Sequence, residues 1–278
     1  MKFFLLVSVL FLNTVAVFAA DANVSDTTTA NSTKETIPAE IQKASTEIFG
    51  INPTDKFSLY QTSYFVFGKE NLKMQFSGKY RVAKSYSFYL AYTQTMFWNI
   101  YDSSAPFDDI NYNPEAFYRF IESDSNFIRS IDLGVHHTSN GEDGEKSRSM
   151  NRIFLKTNFV AGLGRHTVLG EFKLQDIYSK SSGNADIVNY MGYWDLKLTL
   201  THILVHNNQR LDAEYRFFAG KKVFNIEKGG RELGLIYRLG SDNFNPAFYM
   251  QYYSGYAESL LHYNQKVSQA RLGLLLFY

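Results

Sequence analysis

From about Phe57 to Tyr278 the chain alternates apolar and polar side chains with a period of two, and that rhythm excludes most folds. Leu72, Met74, Phe76, Gly78, Tyr80 and Val82 alternate with Lys73, Gln75, Ser77, Lys79 and Arg81. Trp194, Leu196, Leu198 and Leu200 alternate with Asp195, Lys197, Thr199 and Thr201. Leu211, Ala213, Tyr215 and Phe217 alternate with Asp212, Glu214 and Arg216, and the chain ends on Ala270, Leu272, Leu274, Leu276 and Tyr278. Successive side chains on a strand point to opposite faces, so each stretch has one apolar and one polar face. A soluble sandwich would bury the apolar face, whereas a membrane barrel would turn it outward.

The details favour the barrel. The polar faces carry many charges, and the last strand runs to a terminal aromatic residue, as in bacterial outer-membrane proteins. The 20 Tyr and 24 Phe suit the aromatic girdles of a barrel. A mean hydropathy of -0.25 is no objection, because barrel strands alternate instead of running apolar. No stretch beyond the N-terminus reads as a membrane helix. About twelve strands fit between Phe57 and Tyr278, one about every 18 to 19 residues, allowing ~10 per strand plus a connection. The expected fold is an all-β, twelve-stranded antiparallel transmembrane barrel over residues 56–278. Its lumen should be narrow and filled by hydrogen-bonded polar pairs.

The N-terminus reads as an export signal. Met1-Lys2 precedes an apolar run from Phe3 to Leu12, and small residues follow near Ala19-Ala20. Residues 1–20 are therefore expected to be a cleaved signal peptide; the alternative is a membrane anchor. Residues 21–55, rich in Thr, Ser, Asn and Ala, read as a flexible arm, with a short helix around residues 39–47 as an option. The chain has no cysteine, which excludes disulfides and cysteine metal sites. Its net charge of +1 gives no electrostatic case for nucleic acid.

One strand breaks the pattern. Ile131, Leu133, Val135, His137 and Ser139 share a face, so an apolar face ends in a histidine and a serine. On a lipid-facing wall both are costly and suggest chemistry. After the charged connection Glu142-Asp143-Gly144-Glu145-Lys146, Asn151, Ile153, Leu155, Thr157 and Phe159 share a face. If the two strands form a hairpin, Asn151 joins Ser139 and His137. His137 would take the proton of the Ser139 hydroxyl, and Asn151 would hold the imidazole by accepting from its other N–H. A neutral orienter suits an apolar site, where a carboxylate would be expensive. The other reading, interfacial residues with no chemistry, stays open on the residues alone.

His137-Thr138-Ser139-Asn140-Gly141, followed by Ser147-Arg148-Ser149-Met150-Asn151-Arg152, closely resembles the active-site hairpin of the outer-membrane phospholipase A family. Tyr92-Thr93-Gln94, Trp98, Pro106-Phe107, Asn111 to Glu115, Tyr190 to Tyr193 and Tyr253 to Leu260 also resemble family segments. The resemblance covers most of Phe57 to Tyr278 and not the N-terminal arm. It implies a twelve-stranded outer-membrane barrel that hydrolyses phospholipid acyl esters with calcium, an enzyme of phospholipase A1/A2 and lysophospholipase type. Ser139 would be the nucleophile, His137 the base and Asn151 the orienter, with the Gly141 N–H in the oxyanion hole.

The resemblance assigns calcium (Ca2+) to Ser104, Ser147 and the backbone carbonyl of Glu142. The Glu142 position is basic in some members, but its carbonyl would do the binding. Ala105 and Met150 also depart from the family pattern. Without the resemblance, Ser104 and Ser147 would read as ordinary loop residues. Gln94 shares a face with Phe88, Leu90, Tyr92, Met96 and Trp98. An amide on a lipid wall needs a partner, and the resemblance implies a hydrogen bond across a homodimer that completes the active sites. Water at the membrane interface is the alternative partner. His136, His166, His202, His206 and His262 have no ligand-like spacing and read as lumen or loop residues. The expected function is a calcium-dependent serine hydrolase of outer-membrane glycerophospholipids; the alternatives are an inactive structural barrel and a passive channel.

Overall fold

The computed structural model describes residues 56–277, apart from 84, 125, 165, 207–208, 222–226 and 240–246. The expected signal peptide, arm and short helix lie outside the described residues. A two-residue strand, β1 (Phe57–Ser58), precedes twelve longer ones. These are β2 (Ser63–Gly68), β3 (Leu72–Ala83), β4 (Tyr86–Trp98), β5 (Phe107–Glu122), β6 (Ile128–Ser139) and β7 (Ser149–Leu163). They continue as β8 (His166–Lys180), β9 (Trp194–His206), β10 (Gln209–Ala219), β11 (Gly229–Arg238), β12 (Ala247–Gly255) and β13 (Val267–Phe277). Each of β2 to β13 pairs antiparallel with the next, and β13 closes on β2, with Leu272 opposite Phe67 and Leu275 opposite Tyr64. The twelve strands thus form a closed antiparallel barrel. β1 adds to β3, Phe57 facing Tyr80.

The alternation resolves as an inside-out protein. Tyr215, Leu233, Met250 and Leu272 are exposed on the outer wall, while Asp212, Glu214, Glu232, Gln251 and Arg271 are buried in the lumen. Apolar outside and charged inside is the arrangement of a barrel in lipid. Many of the interior charges are paired, which offsets the cost of burying them. Arg119 donates to Asp132 through Nε at 2.7 Å and Nη2 at 3.0 Å. Lys73 lies 3.1 Å from Glu232 and 3.3 Å from Glu258, and Lys197 is 2.8 Å from Glu214.

The segment between β1 and β2 sends Tyr60 into the lumen. Its hydroxyl donates to Glu115 at 2.9 Å and accepts from Lys156 at 2.8 Å. Its ring stacks on Phe117, centroids 5.8 Å apart, beside Tyr89 and Phe154. An aromatic plug with satisfied polar tips therefore crosses the barrel interior.

At one end the connections after β4, β6, β8 and β12 are long; at the other, β4 follows β3 and β8 follows β7 closely in the chain. The β12–β13 connection folds over the mouth. The Leu260 and Leu261 N–H groups donate to Asn111 and Asp109 on β5, at 3.1 and 2.9 Å. Leu260 and Tyr263 pack on Met150 and Ile187. Below them is a polar cavity of about 200 Å³ lined by charged side chains such as Lys73, Glu171, Arg216 and Glu258.

The lumenal pairs should behave as buried ion pairs. Asp132→Ala, which removes the bidentate partner of Arg119 and leaves it only Glu122 at 3.4 Å, should cost about 3–5 kcal/mol, and replacing both Asp132 and Arg119 with apolar residues should cost less. Urea unfolding of the detergent-refolded barrel, followed by heat-modifiable gel migration, measures both.

Candidate active site

Strand register assembles the site. Phe76, Gln94, Tyr112, Ser139 and Ser149 lie opposite one another in turn across β3 to β7. Next to this row, His137 faces Asn151 directly across the β6–β7 pair. His137 Nδ1 is 2.8 Å from Asn151 Oδ1. The amide oxygen can only accept, so Nδ1 is the donor of this bond, and in the neutral ring the lone pair is on Nε2. Ser139 follows two residues on along the same face of β6. The surrounding wall is apolar, with Leu133, Val135 and Ile153 exposed. The hairpin predicted from alternation forms, and it brings the polar groups of Ser139, His137 and Asn151 to one outward surface.

Gly141, the second residue of the β6–β7 connection, has φ +70, a left-handed conformation that glycine adopts without strain. A Cβ there would sit 3.0 Å from the Tyr112 ring. The buried Asn140 beside it closes the connection. Its Oδ1 accepts from the Arg148 N–H at 2.9 Å, and its Nδ2 donates to the Lys146 carbonyl at 2.9 Å. Asn140 thus fixes the backbone that carries Gly141 and Glu142. From the far side, the Ser149 N–H donates to Asn184 Oδ1 at 3.2 Å, and Asn184 Nδ2 donates back to the Ser149 carbonyl at 3.1 Å. The start of β7 is therefore tied to the β8–β9 connection.

The expected calcium ligands lie on two connections at this same end. Ser104 is exposed in the β4–β5 connection and has φ 66, a positive value shared by Ala105 at φ 39. The Trp98 indole N–H donates to the Ala105 carbonyl at 2.7 Å, and Trp98 stacks on Phe107 at 5.3 Å. That clamp holds the strained turn. Glu142 and Ser147 flank a 3-10 turn over Gly144–Lys146, and the Ser147 N–H donates to the Gly144 carbonyl at 3.2 Å. Among the described residues no group of three or more His, Cys, Asp or Glu could hold a metal ion. A cation at this end would have to rely on hydroxyl and carbonyl oxygens, which suits a hard ion.

Gln94 is half-buried on the outer wall, and its Oε1 accepts from the Tyr92 hydroxyl at 3.0 Å. The alternation had given the amide no partner within the chain; Tyr92, two positions away on the same face, is that partner for the oxygen. Sequence reasoning also passed over Tyr112 as a separate residue. Its place in the outward series Ile110, Tyr112, Pro114 is the signal that could have found it. The register sets it between Gln94 and Ser139, with its ring under Gly141.

Closed on itself, with an apolar exterior and an ion-paired interior, the fold is that of an outer-membrane β-barrel. The chain belongs to the phospholipase A1 family, whose model matches residues 44–276. It is 34% identical over 192 residues to a phospholipase A1 of Escherichia coli K12, covering 67% of this chain. The matched part spans 61% of that relative's length. A putative phospholipase A1 of Neisseria meningitidis is 29% identical, over 73% of this chain and 53% of the relative. The solved outer membrane phospholipase A from Escherichia coli superposes with a TM-score of 0.67 at 26% identity, covering 83% of this chain and 97% of that one. A Salmonella typhi outer membrane phospholipase, solved as a dimer with bound calcium, gives 0.65 at 26% identity, covering 84% and 97%.

Gly141→Ala tests how tightly the turn is set. The left-handed backbone should cost about 1–2 kcal/mol, with the Tyr112 ring displaced. Unfolding in denaturant reads the loss, and a variant as stable as the parent would show that the turn relaxes freely.

Proposed function

We propose that the chain is a calcium-dependent serine hydrolase of the outer membrane that cleaves acyl esters of glycerophospholipids. The observation that carries this reading is the His137–Asn151 hydrogen bond on the lipid-facing wall, in the hairpin that also presents Ser139. A soluble-substrate enzyme would have no reason to keep such a cluster on an apolar exterior. The family and the solved neighbours named above support the same substrate class.

The chemistry follows from the groups present. Ser139 Oγ attacks the ester carbonyl carbon while His137 Nε2 takes the hydroxyl proton. Positioned general-base catalysis of this kind typically contributes 10²–10⁴-fold. Asn151 fixes the ring and its tautomer through Nδ1 and stays neutral, which limits the desolvation cost on an apolar wall. The tetrahedral oxyanion is met by the Gly141 N–H; one such donor is worth about 3 kcal/mol. His137 then returns the proton to the leaving glycerol oxygen, which frees a lysophospholipid. Water, activated by the same imidazole, releases the fatty acid from Ser139.

Calcium, when bound, would supply positive charge and a polarised water beside the developing oxyanion. The hydroxyls of Ser104 and Ser147 and the carbonyl of Glu142 are the residues that would hold it. They are hard oxygen donors at the same barrel end, and Glu142 is exposed there with its carboxylate. Gln94 is proposed to bridge two copies of the chain. Tyr92 satisfies its oxygen, which leaves the amide hydrogens on the apolar wall for a partner subunit. The lumen argues against a passive channel, because Tyr60, its aromatic neighbours and the buried ion pairs occupy it.

Fatty acid release from mixed phospholipid–detergent micelles tests the reading. Wild type should turn over with calcium and stop with chelator, and Ser139→Ala should lose activity by at least about 10³-fold while remaining a heat-modifiable barrel. Activity that survives Ser139→Ala would refute the assignment. Gln94→Leu should weaken dimerisation without unfolding the barrel. Calibrated crosslinking in calcium measures this, and an unchanged dimer yield would remove Gln94 from the interface.

A further inference from the structure

The wall behind the hairpin has a defect. Pro114 lies in β5, an interior strand of a closed barrel, and proline has no N–H to give to a ladder. The β4–β5 pairing runs unbroken through Tyr92 opposite Pro114. The β5–β6 pairing does not: it steps from Tyr112–Ser139 to Glu115–His136 with no paired residues between. The gap therefore faces β6, and it falls at the height of His137 and Thr138.

A side-chain chain on the lumenal face spans that gap. Thr138, between His137 and Ser139, points inward and is buried. Its hydroxyl donates to Asn113 Oδ1 at 2.9 Å and accepts from Arg152 Nη2 at 2.7 Å. Asn113 Nδ2 donates to the Thr93 carbonyl on β4 at 3.1 Å. Arg152, beside Asn151 on β7, reaches Gln175 on β8 through Nη1 at 3.0 Å. Its Nη2 also lies 2.9 Å from the His136 ring nitrogens. One hydroxyl, using its single donor and an acceptor lone pair, thus joins β5, β6 and β7 at the break, and Asn113 and Arg152 carry the network on to β4 and β8.

We infer that Thr138 is a positioning residue: with Asn113 and Arg152 it braces the lumenal side of the wall where Pro114 interrupts the β5–β6 ladder, and so holds Ser139 and His137 in register with Asn151. The inference rests on the serine-hydrolase reading above for its catalytic consequence, but not for the brace itself. A displacement of about 1 Å in reacting groups can cost up to 10²-fold in rate, so a strand freed at this point should lose turnover and not substrate affinity.

Thr138→Val keeps the shape and removes the hydroxyl. It should lower kcat for calcium-dependent fatty acid release by about ten-fold or more and leave KM and the heat-modifiable barrel unchanged. Thr138→Ser, which keeps the hydroxyl, should restore kcat. Asn113→Ala removes the other end of the same bond and should repeat the kcat loss if the valine variant folds poorly. Amide hydrogen exchange along Val135–Ser139 should be faster in Thr138→Val than in wild type. An unchanged kcat in Thr138→Val would overturn the inference, as would a serine variant as impaired as the valine one. If wild type shows no Ser139-dependent turnover, the hydrolase reading fails. Hydrogen exchange still decides the brace, and equal exchange in wild type and Thr138→Val would overturn it.

Discussion

A backbone N–H facing lipid has no water to bond, so every strand of this wall must find its partner in another strand. That requirement closes the sheet from β2 round to β13 and abolishes edges. Closure then fixes register, and register fixes the site. A one-residue slip between β6 and β7 would turn every outward side chain into the lumen. Asn151 would leave the wall and the His137 bond would be lost. His137, Ser139 and Asn151 owe their alignment to two paired strands and not to a loop, and groups on regular elements hold tighter tolerances than groups on loops. Where the β5–β6 ladder lapses beside Pro114, buried side chains bridge the break.

The same constraint explains the interior. With the apolar residues spent on the outer wall, the lumen receives Lys, Arg, Asp and Glu, and these tolerate burial only when paired. Arg119 with Asp132, Lys197 with Glu214 and Arg271 with Glu258 meet that condition. Tyr60 adds a ring that neither solvent nor lipid could have supplied, wedged between Phe117 and the Lys156 ammonium. Each of these pairs fixes the direction of the side chains that make it.

Much of this was legible in the sequence because a period of two is a local signal. Leu211 to Phe217 reveals both faces of β10 without any knowledge of its neighbours. His137 and Ser139 share one strand, and Asn151 follows a short connection, so the hairpin needed only one further assumption. The Tyr92–Gln94 bond was equally local, and its residues were read together on one face, yet the hydroxyl was not weighed as a partner. Other features were illegible because their partners are distant in sequence. Tyr60 bonds Glu115 across 55 residues, and Lys73 bonds Glu258 across 185. The lumenal role of Thr138 was hidden differently. Alternation places it inward, but only the register reveals that it stands opposite a gap left by proline.

The height of the site on the wall bears on what it meets. Ser139 is the last residue of β6 and His137 lies two before it. At a rise of about 3.3 Å per residue both groups sit within about 7 Å of the strand's end. In a bilayer whose interface meets the end of β6, that is the level where lipid esters lie, and not the hydrocarbon centre. Polar side chains cost least there on a lipid-facing surface, and the cost rises with depth. Deeper down the same face, Val135, Leu133 and Ile131 are apolar. The wall therefore changes from apolar side chains to hydrogen-bonding ones along a single strand. An ester carbonyl held by its own acyl chain against that lower surface would come to the hydroxyl of Ser139 without leaving the membrane.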